Sequence, residues 1–563
     1  MQIQLPASVS DSEKDVVIVR SASRGGLIVF LGLAAIGCAV LAISNALGSA
    51  LIGHPDEAAH YVTALMVHQY LREALGQDPV AFAQGYYLHY PKVAIGHWPP
   101  VFPLAVASWM LVVGTSVAAV LVLQVVLAAA SGAVLFVTLR SRTGEWLACT
   151  AAGLWMLLRL NQESYVVVMA EPLLALFVLL ATIRAARYLE SGRTRPLVEY
   201  AVASTLAVMT KGSGLALLGL PALAAFLTGR RALLRDWRIH AAPAGVALAS
   251  APWTLLTFPM VRNGFDTRGA SVEVMAEQAA AALLDFVPTL GIGLAIPVLA
   301  GILWQLASMQ SRTRPLDPLW GSSLAAVLVI YAIHIVSPTF MKPRRVVVVL
   351  PALIALAVLA THRVASRFRI PTRIAAAGLL VLAMGSGGGL PRKGGEMWRA
   401  FFRHELGPAL RPGTAVLIAG QEAENAIISE TAQRQPSPSV FLVRASKFVA
   451  DSDWSGADYR LRLASPEPLE EALRRVPINV VVVEREPLAS GRTHREPPHV
   501  ALIRAVVQGP DGPWRLAERP AAETDAAGVQ VAEIYTRHPP LEGRVQLTVD
   551  LRRTLGHGLS TGN

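Results

Sequence analysis

The chain has only two cysteines in 563 residues, Cys38 and Cys149, and both lie inside apolar segments. No disulfide framework and no cysteine metal site can be read from them. Charge is scarce too: Asp, Glu, Lys and Arg make up 16% of the chain, where soluble domains carry roughly 25%. That deficit argues for a membrane protein. The charge that remains is positive, formally +11, but no basic-aromatic module accompanies it, which argues against a nucleic-acid partner. Positive cytoplasmic loops and attraction to anionic membrane lipids account for the excess. No internal repeat stands out, and the first apolar run is too long for the core of a cleaved signal peptide.

That first run, Gly25–Ile52, is long enough to cross a bilayer once. Apolar runs then recur until about Leu390, punctuated by clusters such as Arg140 with Arg142, Arg184 with Arg187, and Arg363 with Arg367. Placing every cluster in the cytoplasm predicts about eleven crossings of the cell (inner) membrane. Residues 1–24 are then cytoplasmic and the C-terminal region extracytoplasmic. The stretch 101–139 is too long for one helix, and the Gly114-Thr115-Ser116 break divides it into a surface or re-entrant helix and a span. Loops 53–98, 159–171, 258–285 and 338–345 then share the outer side.

From about Pro391 the composition becomes that of a soluble domain. Thr414–Ala419, Ser439–Val443, Ile478–Val483, Val500–Val507 and Val529–Tyr535 read as strands, with Pro466–Arg475 an amphipathic helix between two of them. Alternating strands and helices predict a small α/β domain over 391–550. Residues 551–563 read as a disordered tail. The fold class is an α-helical polytopic membrane protein with a C-terminal soluble α/β domain.

Several loop residues could carry chemistry. Gly53-His54-Pro55-Asp56-Glu57-Ala58-Ala59-His60-Tyr61 puts two carboxylates directly after the first span. Helix capping explains them equally well, since proline and acids suit a first helical turn. Neighbouring helical residues diverge, so Asp56 and Glu57 cannot grip one atom. Tyr87, His97 and Trp98 belong to an aromatic cluster before Pro99-Pro100, either an interfacial belt or the wall of a sugar site. His54, His60, Tyr61, Tyr87, His97 and Trp98 are the candidate substrate-binding residues. Glu171-Pro172 opens a span, Lys211 closes a helix, and Lys342, Arg344 and Arg345 place cations outside, against the positive-inside trend. Cations there suit a lipid phosphate, which arginine can hold bidentately; snorkelling anchors are the other reading.

Together these pieces resemble the GT-C superfamily of membrane glycosyltransferases. The closest resemblance is to the branch holding protein O-mannosyltransferases, lipid A aminoarabinose transferases and rhizobial galacturonosyltransferase-like proteins. It spans roughly residues 25–390 and rests on His-Pro-Asp-Glu (54–57), Pro-Pro (99–100), Ala-Glu-Pro-Leu (170–173), Val-Met-Thr-Lys-Gly (208–212) and Arg344-Arg345 before Val-Val-Leu-Pro (348–351). The resemblance implies a GT-C-like transmembrane domain over 25–390 with a catalytic outer loop at 53–98. It implies a polyprenyl-phosphate-linked sugar donor and a lipid, glycan or protein acceptor. Asp56 takes the position of the general base with Glu57 as its catalytic support, Glu171 that of a second acid, and Lys211 with Arg344-Arg345 that of the phosphate clamp. Several relatives carry Glu-Lys before the double proline where this chain has His97-Trp98, so Lys92 or Lys211 substitutes for the missing lysine. Metal use stays open, with no certain cofactor and with His97 and Glu57 as candidate ligands of a divalent ion. A transporter or flippase, and a non-catalytic partner in envelope polysaccharide assembly, are the alternatives. Transporters usually place ionisable residues at the bilayer midplane and show repeats; here they gather at one face.

Overall fold

A computed structural model describes residues 11–262, 271–310, 316–337, 342–385, 389–435, 437–451, 459–485, 496–517, 531–551 and 557–561. Among them six helices are long and apolar enough to cross a membrane: Arg24–Ile43, Val117–Thr143, Glu171–Ser191, Arg238–Met260, Pro318–Val336 and Leu350–Arg367. Shorter apolar helices lie beside them, Val101–Val113, Gly212–Leu227, Ile292–Gln305 and Thr372–Gly385. The expected count of about eleven crossings is not reproduced by helix length. The first helix stops at Ile43, and 44–56 is turn and bend, so the apolar run to Ile52 is not one helix.

The division of 101–139 is borne out. One helix covers Val101–Val113 and the next Val117–Thr143. Gly114 between them has φ +109°, a conformation side chains resist, and the Ser116 hydroxyl caps the second helix by accepting from the Ala119 N–H at 3.1 Å.

The two ends of the bundle differ in charge. At one end Arg142 pairs with Asp317 at 2.9 Å and with Glu190, Arg184 with Glu199 at 3.0 Å, and Arg238 with Asp236 at 2.7 Å. Glu190 and Glu171 belong to one helix of 21 residues, which at 1.5 Å per residue is about 30 Å, the thickness of a bilayer core. The arginine-rich turns therefore lie a membrane's width from the loops that follow Ile52, precede Glu171 and contain Arg344.

The C-terminal domain sits at the latter end. Its sheet holds β1 (Ala415–Ala419), β2 (Phe441–Arg444), β3 (Ile478–Glu484), β4 (Trp514–Leu516) and β5 (Ala532–Arg537) in the order β2-β1-β3-β5-β4. β2, β1 and β3 run parallel, and β5 pairs antiparallel with β3 and β4. Helix Pro466–Arg475 forms as expected. Val500–Val507, read as a strand, is instead part of helix Pro498–Val507. Proline fits its first turn, and buried His499, Val500, Ile503 and Val507 recur at helical spacing. The strand expected from Val529 is seen from Ala532, with 518–530 outside the described residues. Helix Gln421–Arg434, absent from the sequence reading, packs on helix Glu57–Glu73. The tail also departs from expectation: Gly558–Ser560 pairs with Thr548–Asp550, because its backbone finds a strand to bond.

Candidate active site

The helix that opens after the first span begins at Glu57, with Asp56 as its N-cap, so both acids sit where backbone N–H groups point outward. Their surroundings then diverge. Asp56 is partly buried and lies 3.3 Å from Nη1 of Arg344. His54 completes the group: its Nδ1 accepts from the Asp56 N–H at 3.0 Å, and its Nε2 is 2.6 Å from the same Arg344 Nη1. Burial alone pushes the Asp56 carboxyl up, but His54, His60, Arg344 and Lys211 outweigh it and hold the group below its usual value. Burial, then Arg344, lowers His54.

A second pair stands beside the first. Lys211 Nζ donates to Glu171 Oε1 at 2.7 Å, while Glu171 Oε2 and Arg344 Nε are buried with no hydrogen-bond partner. Native interiors rarely leave such atoms unmatched, and where they do a bound group is a common reason. His54, Glu171 and Arg344 line a cavity of about 470 Å³. Its far wall comes from Arg159 and Glu163 of the short helix Arg159–Tyr165 and from Arg392, Lys393 and Glu422 of the C-terminal region. His60 stacks on Trp98, ring centres 3.7 Å apart, and burial pushes both His60 and His97 down to about 4. Both rings are uncharged at neutral pH. Arg345 lies within electrostatic reach of Glu171 and Asp56.

The remaining expected residues are elsewhere. Glu57 is fully buried, 2.5 Å from Lys393 Nζ; its Oε1 also accepts from the Val168 N–H at 3.2 Å and its Oε2 from the Gly53 N–H at 2.9 Å. A Cβ at Gly53 would come within 2.8 Å of a Val167 methyl, so a larger residue there would have to displace that side chain. Glu57 thereby ties three segments together rather than facing the cavity. Lys92, expected at the donor phosphate, lies 3.9 Å from Glu424, which also accepts from Arg444 Nε at 2.7 Å and from Ser446. Lys92 thus joins the loop to the C-terminal domain, because the buried carboxylate drawing it belongs to that domain, and it stays within electrostatic reach of Asp56. Tyr61 is fully buried and donates to the Thr115 carbonyl, and Tyr87 lies against Arg444 in a separate cavity. Lys393 and Arg159 were missed by sequence reasoning; only the basic Pro391-Arg392-Lys393 at the composition change hinted at the first.

The residues do not form a metal cradle. Among the described residues no three His, Cys, Asp or Glu side chains converge, and both oxygens of Glu57 are engaged.

The family model of the dolichyl-phosphate-mannose-protein mannosyltransferases matches residues 97–255. No curated protein matches the chain in sequence. Among solved structures, ArnT from Cupriavidus metallidurans bound to undecaprenyl phosphate superposes with a TM-score of 0.54 at 14% identity, over 92% of this chain and 99% of that one. Its apo form gives 0.52 at 14% identity, over 91% and 98%. The chain thus shares the fold of ArnT, and its residues 97–255 match the mannosyltransferase family model.

Proposed function

We propose that the chain transfers a sugar from a polyprenyl-phosphate donor to a hydroxyl of an envelope glycan, lipid or protein, on the extracytoplasmic face of the inner membrane. The observation that carries this reading is one cavity lined by Glu171 and Arg344, which pair with Lys211 and Asp56 and each keep a buried polar atom unmatched. A polyprenyl carrier is favoured by the likeness to ArnT, whose structure holds undecaprenyl phosphate. Sidedness follows from the arginine-rich turns at the other end of the bundle, which belong in the cytoplasm.

In this reading both cations are held at rest by carboxylates. A donor phosphate competes for Arg344, Arg345 and Lys211, whose charge-assisted bonds are the strong ones. Drawing Arg344 away frees Asp56 to accept the acceptor hydroxyl's proton while oxygen attacks the anomeric carbon. The C–O bond to phosphate breaks as the new one forms, and the cations stabilise the departing phosphate. A single displacement inverts the anomeric centre. A carboxylate held below its usual value is a weak base, so proton transfer comes late, and Asp56 also serves by orienting the hydroxyl. Glu171 Oε2, buried and without a partner, would accept from a sugar hydroxyl. Glu57 supports this geometry without touching substrate.

The test is mass spectrometry of envelope glycans, lipids and proteins from cells with and without the chain. A single saccharide increment present only with it supports transfer. Identical profiles under conditions where the protein is made would remove the reading. Transport would instead show an unmodified lipid-linked sugar redistributed between leaflets.

A further inference from the structure

The seam between helix Pro79–His89 and the C-terminal domain encloses a second cavity of about 210 Å³, which the proposed transfer does not use. Tyr87 and Pro91 close it from the loop side, and Arg444, Lys447 and Arg462 line it from the domain side. Among the described residues no carboxylate lines it. The acids stand behind the cations: Glu424 is 2.7 Å from Arg444, and Asp451 and Asp550 are 3.3 and 3.7 Å from Arg462. Those contacts fix the two guanidinium groups, and Arg444 also donates to the Pro91 carbonyl at 3.3 Å. Much of the remaining wall is apolar, with Leu442, Phe448, Leu463 and Val549, plus the hydroxyl of Thr548.

Three cations converge on one small space, and the titration of the neighbourhood agrees with a positive interior. Burial, then Arg444, pushes Lys447 down to about 8 and Lys92 down to about 7. Like charges cost free energy in a low-dielectric site. An oxyanion entering the space would relieve that cost, and preorganised arginines bind carboxylate or phosphate oxygens in a fixed geometry. The volume is below the roughly 300 Å³ at which drug-sized sites begin, so the occupant is about one saccharide unit.

We infer that this cavity is a second ligand site, taking a saccharide unit that carries a carboxylate or a phosphate ester, with the anion on Arg444, Lys447 and Arg462 and the sugar against Tyr87 and Phe448. The site goes beyond the transfer reaction and stands whether or not the first cavity transfers sugar. If both hold, it anchors an anionic unit of the acceptor away from the reacting hydroxyl.

The experiment is calorimetric titration of the full chain in lipid nanodiscs with glucose 6-phosphate, glucuronate, inorganic phosphate and glucose. At least one of the two sugar anions is expected to bind at least tenfold more tightly than glucose and than inorganic phosphate, and the tighter of the two identifies the anionic group. Lys447→Gln should weaken that binding at least tenfold, and Ala472→Leu, which fills the cavity without removing charge, should abolish it. Arg344→Gln, in the other cavity, should leave it unchanged. Absence of binding by either sugar anion overturns the inference, as does binding lost in Arg344→Gln but retained in Lys447→Gln. Equal binding of inorganic phosphate removes the sugar. If Lys447→Gln fails to fold by gel filtration, Ala472→Leu alone decides, with undiminished binding counting against the site.

Discussion

Two sets of ion pairs start from neighbouring carboxylates, Asp56 and Glu57, and differ in what they leave unmet. Asp56 shares Arg344 with His54 and remains partly exposed, and next to it Glu171 and Arg344 each keep a buried atom without a partner. Glu57, one residue on, is saturated by Lys393 and two backbone N–H groups, and Glu424 by Arg444 and Ser446. The first set has capacity left for a ligand; the second closes a seam. A carboxylate's type and position therefore say little about its role, and its unmet hydrogen-bonding capacity says more.

The sharpest way to break this contrast is Asp56→Asn. It should cut transfer by about 10²–10⁴-fold, the range of a general base, with the thermal midpoint nearly unchanged because Asp56 is partly exposed. Glu57→Gln should do the reverse. Removing one partner of a buried pair costs about 3–5 kcal/mol, so the detergent-solubilised chain should unfold well below wild type, and Lys393→Met should match it. If Glu57→Gln leaves the midpoint alone but stops transfer, the assignment of support to Glu57 is wrong.

Arg344→Gln should weaken binding of undecaprenyl phosphate by about tenfold, one lost charge-assisted contact. It should also move the acid limb of the pH–rate profile upward. Asp56 is depressed partly by Arg344, so transfer is present above its folded value and lost as pH falls through it; removing the cation raises that value. An unmoved limb would detach Arg344 from Asp56.

The smallest effect belongs to the seam. Burial and Arg444 hold Lys92 at about 7 in the folded chain, below the 10.5 of a free lysine. The unfolded chain then binds more protons between those values, so this contribution is full above 10.5 and lost as pH falls through about 7. Relative to Lys92→Met, the wild-type unfolding midpoint should rise between pH 7 and about 10. A difference independent of pH would mean that Lys92 is not desolvated.

Part of the candidate cavity was legible, His54, Glu171 and Arg344, because these lie in short segments whose order carries the resemblance. The one-sidedness of loops 53–98 and 159–171 with Arg344 was legible as well, because arginine clusters mark the other end. The seam was not. Lys393 lies 336 residues from Glu57, and nothing local pairs them. Lys92 shares a loop with His97 and reads as part of the same site until Glu424 is placed against it. Helix Gln421–Arg434 hid because its buried residues include Glu424, Asn425, Ser429 and Glu430, which interrupt the apolar stripe. Val500–Val507 misled for the opposite reason, since a run rich in valine and isoleucine reads as a strand before its neighbours reveal helical spacing.

The most direct measurement is envelope mass spectrometry on cells carrying wild type, Asp56→Asn or Lys92→Met at matched membrane levels. The account predicts the saccharide increment with wild type and Lys92→Met, and its loss with Asp56→Asn. Retention of the increment in Asp56→Asn, or its loss in a folded Lys92→Met, would contradict it.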